Sequence, residues 1–275
     1  MFNKALWRKA ITDARLLLAF LTALLFVFNW LFVYLSSLIE LGPLGVFLQT
    51  LPPAFEKLSG VPFASVATPL GRISAAYVDP VVVFSTTIWA IARGSDAVSG
   101  EIGRGTMEML VAQPVRRLWI LATQATVTIL GAAILSLAVL LGTCAGIATV
   151  PLGEPVDWTV YIPGVFNLFA MMVFLAGVST LISSDDNYRW RTIGLVGAFY
   201  VVQLVFKVIG RLVERFDWLL YFTFAAACEP QALVIDYDQA WALSWRYDGV
   251  LIGLGLACYA VAAAIFCHRD LPAPL

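Results

Sequence analysis

The chain has 275 residues, 61% of them hydrophobic and only 13% charged, with a formal net charge of -1 and a mean hydropathy of +0.87. A single soluble core cannot hide that much apolar surface, so the composition excludes an ordinary soluble domain and points to an all-α polytopic membrane protein. No Lys/Arg cluster is interleaved with aromatics, which excludes a nucleic-acid groove. The four cysteines, Cys144, Cys228, Cys258 and Cys267, show no CxxC and no metal-type spacing with the one histidine, His268.

Residues 1–15 place Phe2, Leu6, Ala10 and Ala14 on one side and Lys4, Arg8, Thr12 and Arg15 on the other, the pattern of an interfacial helix with a basic face suited to an anionic leaflet. The first span follows at 16–39, long enough at about 1.5 Å per residue to cross a ~30 Å hydrocarbon layer. It lacks an A-x-A cleavage pattern, so it is expected to stay in the mature protein. Asn29 is its strongly polar side chain. Gly42-Pro43, Pro52-Pro53, Glu56, Lys57, Gly60 and Pro62 then form a broken stretch expected as short surface helices. A second span is read at 75–94, with Asp79-Pro80 near its outer end.

The segment 95–117, SDAVSGEIGRGTMEMLVAQPVRR, is the long polar stretch between apolar runs. Val98, Ile102 and Met109, with Leu110 and Val111 beside them, fall near helical spacing; Glu101, Arg104 and Glu108 share another face. Gly105-Thr106 interrupts the pattern ahead of Met107, Pro114 ends it, and Arg116-Arg117 stand where a following helix enters lipid. A structured, two-faced loop between spans is expected to be a docking surface.

The third span, 118–150, exceeds what a bilayer needs. Thr123, Gln124, Thr126 and Thr128 lie in its first turns, and Gly142 and Gly146 form a small-xxx-small pair. A turn at Pro151, Gly153, Glu154 and Pro155 leads to a fourth span at 161–182. The polar loop 183–191 precedes a fifth span at 192–209. Residues 210–248 are membrane-loving but too few to cross alone, and are expected as a re-entrant or interfacial helix pair broken at Glu229-Pro230. The sixth span, 249–267, closes the chain, leaving His268, Arg269 and Asp270 in a short tail.

Charge supports this topology. Lys4, Arg8, Lys9, Arg15, Arg93, Arg104, Arg116, Arg117, Arg189, Arg191 and Arg269 fall on one side; Lys57, Arg72, Lys207, Arg211, Arg215 and Arg246 fall on the other. The richer side is expected in the cytoplasm, together with both termini. There is no GxxxxGK[ST] loop, so the chain is not itself an ATPase, and no HExxH or paired histidine for a zinc peptidase or haem. The central portions of the spans lack acidic and basic residues, which argues against a proton-coupled carrier.

The order Glu101, Gly105-Thr106, Glu108, Met109-Leu110-Val111 and Pro114-Val115-Arg116 resembles the permease subunits of ABC exporters of type two. The resemblance implies that 95–117 is a cytosolic coupling helix seated on an ATP-hydrolysing subunit. Glu101, Arg104, Gly105, Thr106, Met107, Glu108, Leu110, Pro114, Arg116 and Arg117 are then the coupling residues. It also implies an elbow helix at 1–15, an extracytoplasmic helix pair before the sixth span, and a bacterial inner-membrane location. The chain would bind no cofactor, with ATP and Mg in the partner, and would pair with a second permease copy or a non-identical permease. Asn29, Thr123, Gln124, Thr128 and Gln203 are candidates for a translocation path, or equally for interhelical hydrogen bonds. Sparse buried charge suits an amphipathic, lipid-like or peptide cargo. A membrane scaffold that anchors a partner without transport is the alternative; an intramembrane enzyme is weaker, since no acid-base or nucleophile constellation can be named.

Overall fold

The computed structural model describes residues 4–38, 50, 52–66, 68–152 and 155–269, and every regular element among them is helical. Six helical runs are long and apolar enough to cross a membrane: Lys4–Ser37, Pro69–Gly103, Arg117–Thr149, Trp158–Asp185, Arg189–Leu212 and Gln239–His268. Gly42-Pro43, Gly153-Glu154, Phe2 and the tail from Asp270 lie outside the described residues.

The first helix, α1 (Lys4–Ser37), buries Leu6, Ala10, Ala14, Leu21, Leu25, Asn29, Val33 and Ser36, a single stripe at helical spacing. It is unbroken, which corrects the expectation of a separate interfacial helix at 1–15. Leu6, Ala10 and Ala14 cover protein rather than lipid, so the stripe that looks interfacial in sequence is a packing face. Lys4, Arg8, Thr12 and Arg15 remain exposed opposite it.

Two short helices, α2 (Pro53–Ser59) and α3 (Phe63–Val66), precede α4 (Pro69–Ser74) and a 3₁₀ turn, Ala75–Val78. Helix α5 (Pro80–Ser95) starts after that turn rather than at 75: Asp79 Oδ1 accepts the Val81 N–H at 2.8 Å, and Pro80 sits at the first helical position, where its missing N–H costs nothing. A π-turn (Asp96–Gly100) and two short helices, α6 (Glu101–Gly103) and α7 (Met107–Val111), lead to α8 (Arg117–Thr149). The 3₁₀ turn Trp158–Tyr161 opens into α9 (Ile162–Asp185), and α10 (Arg189–Leu212) follows a short loop.

Residues 214–235 fold as the 3₁₀ helices Glu214–Phe222 and Phe224–Ala226 and the helix α11 (Pro230–Ile235), bent by 97° at the break after Phe222. The last helix, α12 (Tyr237–His268), begins well ahead of the expected 249. That difference matters, because it brings Asp248, expected in the segment before the sixth span, inside the helix and into the protein interior. Arg93, 3% exposed within α5, is a second buried charge.

Helix α9 is central and packs against α12, α5, α8, α10 and α11. Where it meets α12 the backbones nearly touch: a Cβ on Gly177 would stand 2.4 Å from Gly255 O. The crossing of α1 and α8 is built the same way, since a Cβ on Gly142 would stand 2.5 Å from Phe26 O and one on Gly146 2.6 Å from Val33 Cβ. Lipid offers helices no hydrophobic drive to associate, so close van der Waals approach at such small residues supplies the attraction. Trp89, fully buried, fills the seam between α5 and α8 and donates its Nε1–H to Thr128 O at 3.1 Å.

One end of the bundle gathers the start of α1, the end of α5, the start of α8, the end of α9, the start of α10 and the end of α12. Lys9 bonds Glu101, Arg189 bonds Asp96, and Arg117 and Arg269 bond the backbone at Arg269 and Ser184. The other end carries α2, α3 and the segment 214–235, tied by Lys57–Glu214 and by Arg211 to Leu58 O and Glu229.

Candidate functional site

The stretch 95–117 forms a compact foot at the first of these ends. The π-turn lengthens the helix by one residue and would leave backbone N–H groups without partners. Ser183 of α9 answers this: its Oγ accepts the Ser99 N–H at 2.9 Å and the Val98 N–H at 3.3 Å, while donating to Ser95 O at 3.0 Å. Thr192 of α10 adds a hydroxyl contact to Ser99 Oγ at 3.1 Å.

Helix α6 closes in a Schellman motif. Gly105 takes the left-handed conformation, φ +69°, which only glycine adopts without strain. Its N–H donates to Ile102 O at 2.9 Å, and the Thr106 N–H donates to Glu101 O at 3.1 Å. The Gly105-Thr106 interruption legible in the sequence is therefore a helix stop that reverses the chain into α7. Met107 and Leu110 then bury against Leu6, Val98, Ile120, Leu121, Ala262 and Phe266.

Two carboxylates hold the foot internally. Asp96 accepts from Arg104 Nη1 at 2.6 Å and lies 3.3 Å from Arg189 Nη1 and 3.5 Å from Arg93 Nη1. Glu101 accepts from Lys9 Nζ, from Thr106 Oγ1 and, at 3.1 Å, from Arg104 Nη2. The hydrogen bond that Arg104 donates to Asp96, outweighing partial burial and joined by the charges of Asp96 and Glu101, pushes the Arg104 guanidinium above its ordinary value. Arg104 thus stays charged at any working pH and bridges both acids.

The geometry corrects one sequence expectation. Glu101 does not face outward: it is 0% exposed and its carboxylate is spent inside the foot. Met109 is 67% exposed, while Met107 and Leu110 take the core positions. The outward reading of Glu101 comes from carrying one continuous 3.6-residue period through a segment whose phase is reset by the π-turn and again at Gly105. The exposed rim consists of Gly103, Arg104, Gly105, Glu108, Met109, Ala112, Gln113 and Pro114, with Arg116 at the entry to α8; Thr106 and Arg117 are half-buried.

The polar candidates for a translocation path all make hydrogen bonds inside the protein. Thr123 and Thr128 donate to the backbone of their own helix, at Trp119 O and Gln124 O. Gln124 accepts the buried Arg93 Nη2–H at 2.6 Å, and Asn29 donates to Leu25 O at 2.8 Å. Gln203 stands at the other end, where its Oε1 accepts the Phe224 N–H at 3.3 Å. The first four are thus bonded within or between helices, while the buried Asn29 Oδ1 has no hydrogen-bond partner among the described residues.

Sequence reasoning missed Lys9, Ser183 and Arg189 as parts of the foot, because each becomes meaningful only beside a residue about 85 to 95 positions away, and Asp96, whose three cations Arg93, Arg104 and Arg189 converge only in the folded chain. It also missed a cavity of about 1,210 Å³ at the opposite end. Phe174, Phe199 and Phe224 line it, with Phe199 and Phe224 stacked at 5.8 Å, and Arg211, Glu229 and Arg246 bring charge to it. Gln203 is the translocation candidate that reaches this cavity.

No protein-family model matches the sequence, and no curated protein matches it either.

Proposed function

We propose that the chain is the membrane-spanning subunit of an ATP-driven exporter resembling ABC exporters of type two, and that the foot at 95–117 is its coupling element. The observation that carries this reading is the foot's construction. A docking rim, Gly103 to Gly105 with Glu108 and Met109, projects from a scaffold whose every buried charge is committed to α1, α5 or α10. Such a part transmits force, because a push on the rim must move the helices that hold it. ATP and Mg belong to a separate hydrolysing subunit, whose closure would press on Met109 and Glu108. Glu101 and Arg104 keep the lever stiff; Gly105 and Thr106 set its bend; Met107 and Leu110 seat it; Pro114, Arg116 and Arg117 mark where it joins α8.

The gathering of positive charge at the foot's end supports a cytoplasmic location for that end and for both termini, in a bacterial inner membrane. Exposed Lys4, Arg8 and Arg15 suit anionic headgroups there. The functional unit would hold two permeases, two copies of this chain or one with a non-identical partner. The aromatic, charge-rimmed cavity at the other end suits an amphipathic cargo better than a small ion.

The test is co-purification with a P-loop protein encoded beside this chain, followed by hydrolysis and transport assays in proteoliposomes. Glu108→Lys and Met109→Asp change only exposed side chains, so both variants should fold and yet lose cargo-stimulated hydrolysis. Full stimulation in both would overturn the lever; a stable complex that never hydrolyses ATP in response to any cargo would favour a scaffold.

A further inference from the structure

The cavity at the end opposite the foot is a cleft with two zones. Its rim is charged, carrying Lys57, Arg211, Glu214, Asp217, Asp236 and Arg246. Its depth is apolar, walled by Phe174 of α9, Phe199 of α10 and Leu251 and Leu254 of α12, with Phe224 stacked on Phe199. Helices α10 and α12 both pack on α9 and form the two sides. Val250 and Leu254 belong to the wall and are nevertheless exposed, so the cleft opens sideways along α12.

Its level in a bilayer follows from the aromatics. Trp218, Tyr221, Phe222, Trp241 and Trp245 are all exposed in the two segments that carry the rim, and such rings mark the headgroup region. Below the rim, at about 1.5 Å per residue, Leu254 lies about 12 Å from Arg246 along α12 and Phe199 about 18 Å from Arg211 along α10. That depth is one leaflet of a ~30 Å hydrocarbon layer. With a volume of about 1,210 Å³ the cleft also exceeds the roughly 300 to 1,000 Å³ of sites for drug-sized ligands.

Charge at the rim selects the headgroup. Lys57 pairs with Glu214, and Arg211 with Glu229, which Lys207 also holds. Arg246, Asp217 and Asp236 remain; their side chains are exposed and make no ion pair or hydrogen bond among the described residues. One cation beside two anions disfavours a purely anionic head and complements one that carries both a phosphate and a primary ammonium.

We propose that this cleft binds a phospholipid with a phosphate–ammonium head, admitted sideways from the leaflet at this end. The phosphate lies at Arg246, the ammonium at Asp217 and Asp236, and an acyl chain runs down past Phe174, Phe199 and Leu254. This names the amphipathic cargo of the exporter reading and rests on that reading only for the lipid being moved; binding itself needs no ATPase.

Native mass spectrometry of the full chain, delipidated and then titrated with phosphatidylethanolamine or phosphatidylglycerol, tests it. Phosphatidylethanolamine should be retained at one per chain and clearly ahead of phosphatidylglycerol. Arg246→Glu, which loses one charge-assisted contact, should weaken retention about tenfold. Leu254→Trp, which fills the apolar zone from an exposed position, should weaken it too, while Arg215→Glu, an exposed cation outside the cleft wall, should not. A phosphatidylethanolamine with a diazirine in its acyl chain should label Phe199 or Leu254. Equal retention of the two lipids, unchanged retention in Arg246→Glu and Leu254→Trp, or label elsewhere would each overturn the proposal. So would disulfide dimers of Leu254→Cys in a chain freed of its own cysteines, which would place a second copy over the cleft. Lipid retained by the site without stimulated hydrolysis in the reconstituted complex would support the site and count against the exporter reading alone.

Discussion

The Lys9 ammonium donates to the fully buried Glu101 carboxylate across 92 positions of sequence, and so fastens the first helix to the foot between the second and third membrane runs. Removing either partner is unequal. Lys9 is 31% exposed and can rehydrate, so Lys9→Ala should cost about 1 kcal/mol. Glu101→Lys puts a second cation beside Arg104 in a closed site and should cost about 3 kcal/mol or more. Thermal unfolding in one detergent compares them; equal, small losses would show that the foot does not rest on Glu101.

Gln124 offers a test of structure against path. It is the hydrogen-bond acceptor given to the buried Arg93 Nη2, so Gln124→Leu should destabilise by about 1 to 3 kcal/mol, the penalty of an abandoned buried donor. A stable Gln124→Leu protein with altered transport would instead return Gln124 to the translocation path.

The crossing of α1 and α8 should tolerate no side chain at Gly142. Its neighbour at 2.5 Å is the Phe26 carbonyl, part of a helix backbone and unable to swing aside. Gly142→Leu should cost about 1 to 3 kcal/mol by forcing the helices apart. Gly194→Leu, where nothing lies within 4 Å, should leave the melting temperature nearly unchanged.

Asp186, in the loop between α9 and α10, predicts an acid limb. Burial pushes its carboxyl up, but the Tyr188 N–H and the Arg191 guanidinium at 2.9 Å outweigh that and hold it below the ordinary aspartate value. Because the folded chain holds this proton less tightly than the unfolded one, the stabilisation is full above the ordinary aspartate range and is lost as pH falls through the folded value. Asp186→Asn should flatten the fall in melting temperature on acidification; an unchanged slope would assign that limb to other carboxylates.

By itself the sequence determined that the chain is a set of apolar membrane-length helices, because runs of that composition have no stable alternative once every backbone polar group must be satisfied in lipid. It also marked the foot, since Gly105 and Pro114 act on their own neighbours. Local chemistry of that kind is written locally. What the tertiary structure decided was which side of each helix counts. Leu6, Ala10 and Ala14 read equally well as a lipid-facing or a protein-facing stripe, and the partner that settled it, the foot with α8, is distant in the chain. Glu101 read as an outward carboxylate until Lys9 and Thr106 closed over it, and Asp248 as a loop residue until α12 was seen to begin at Tyr237. A charge's role depends on its counter-charge or the lack of one, and where that partner lies is a property of the folded chain alone.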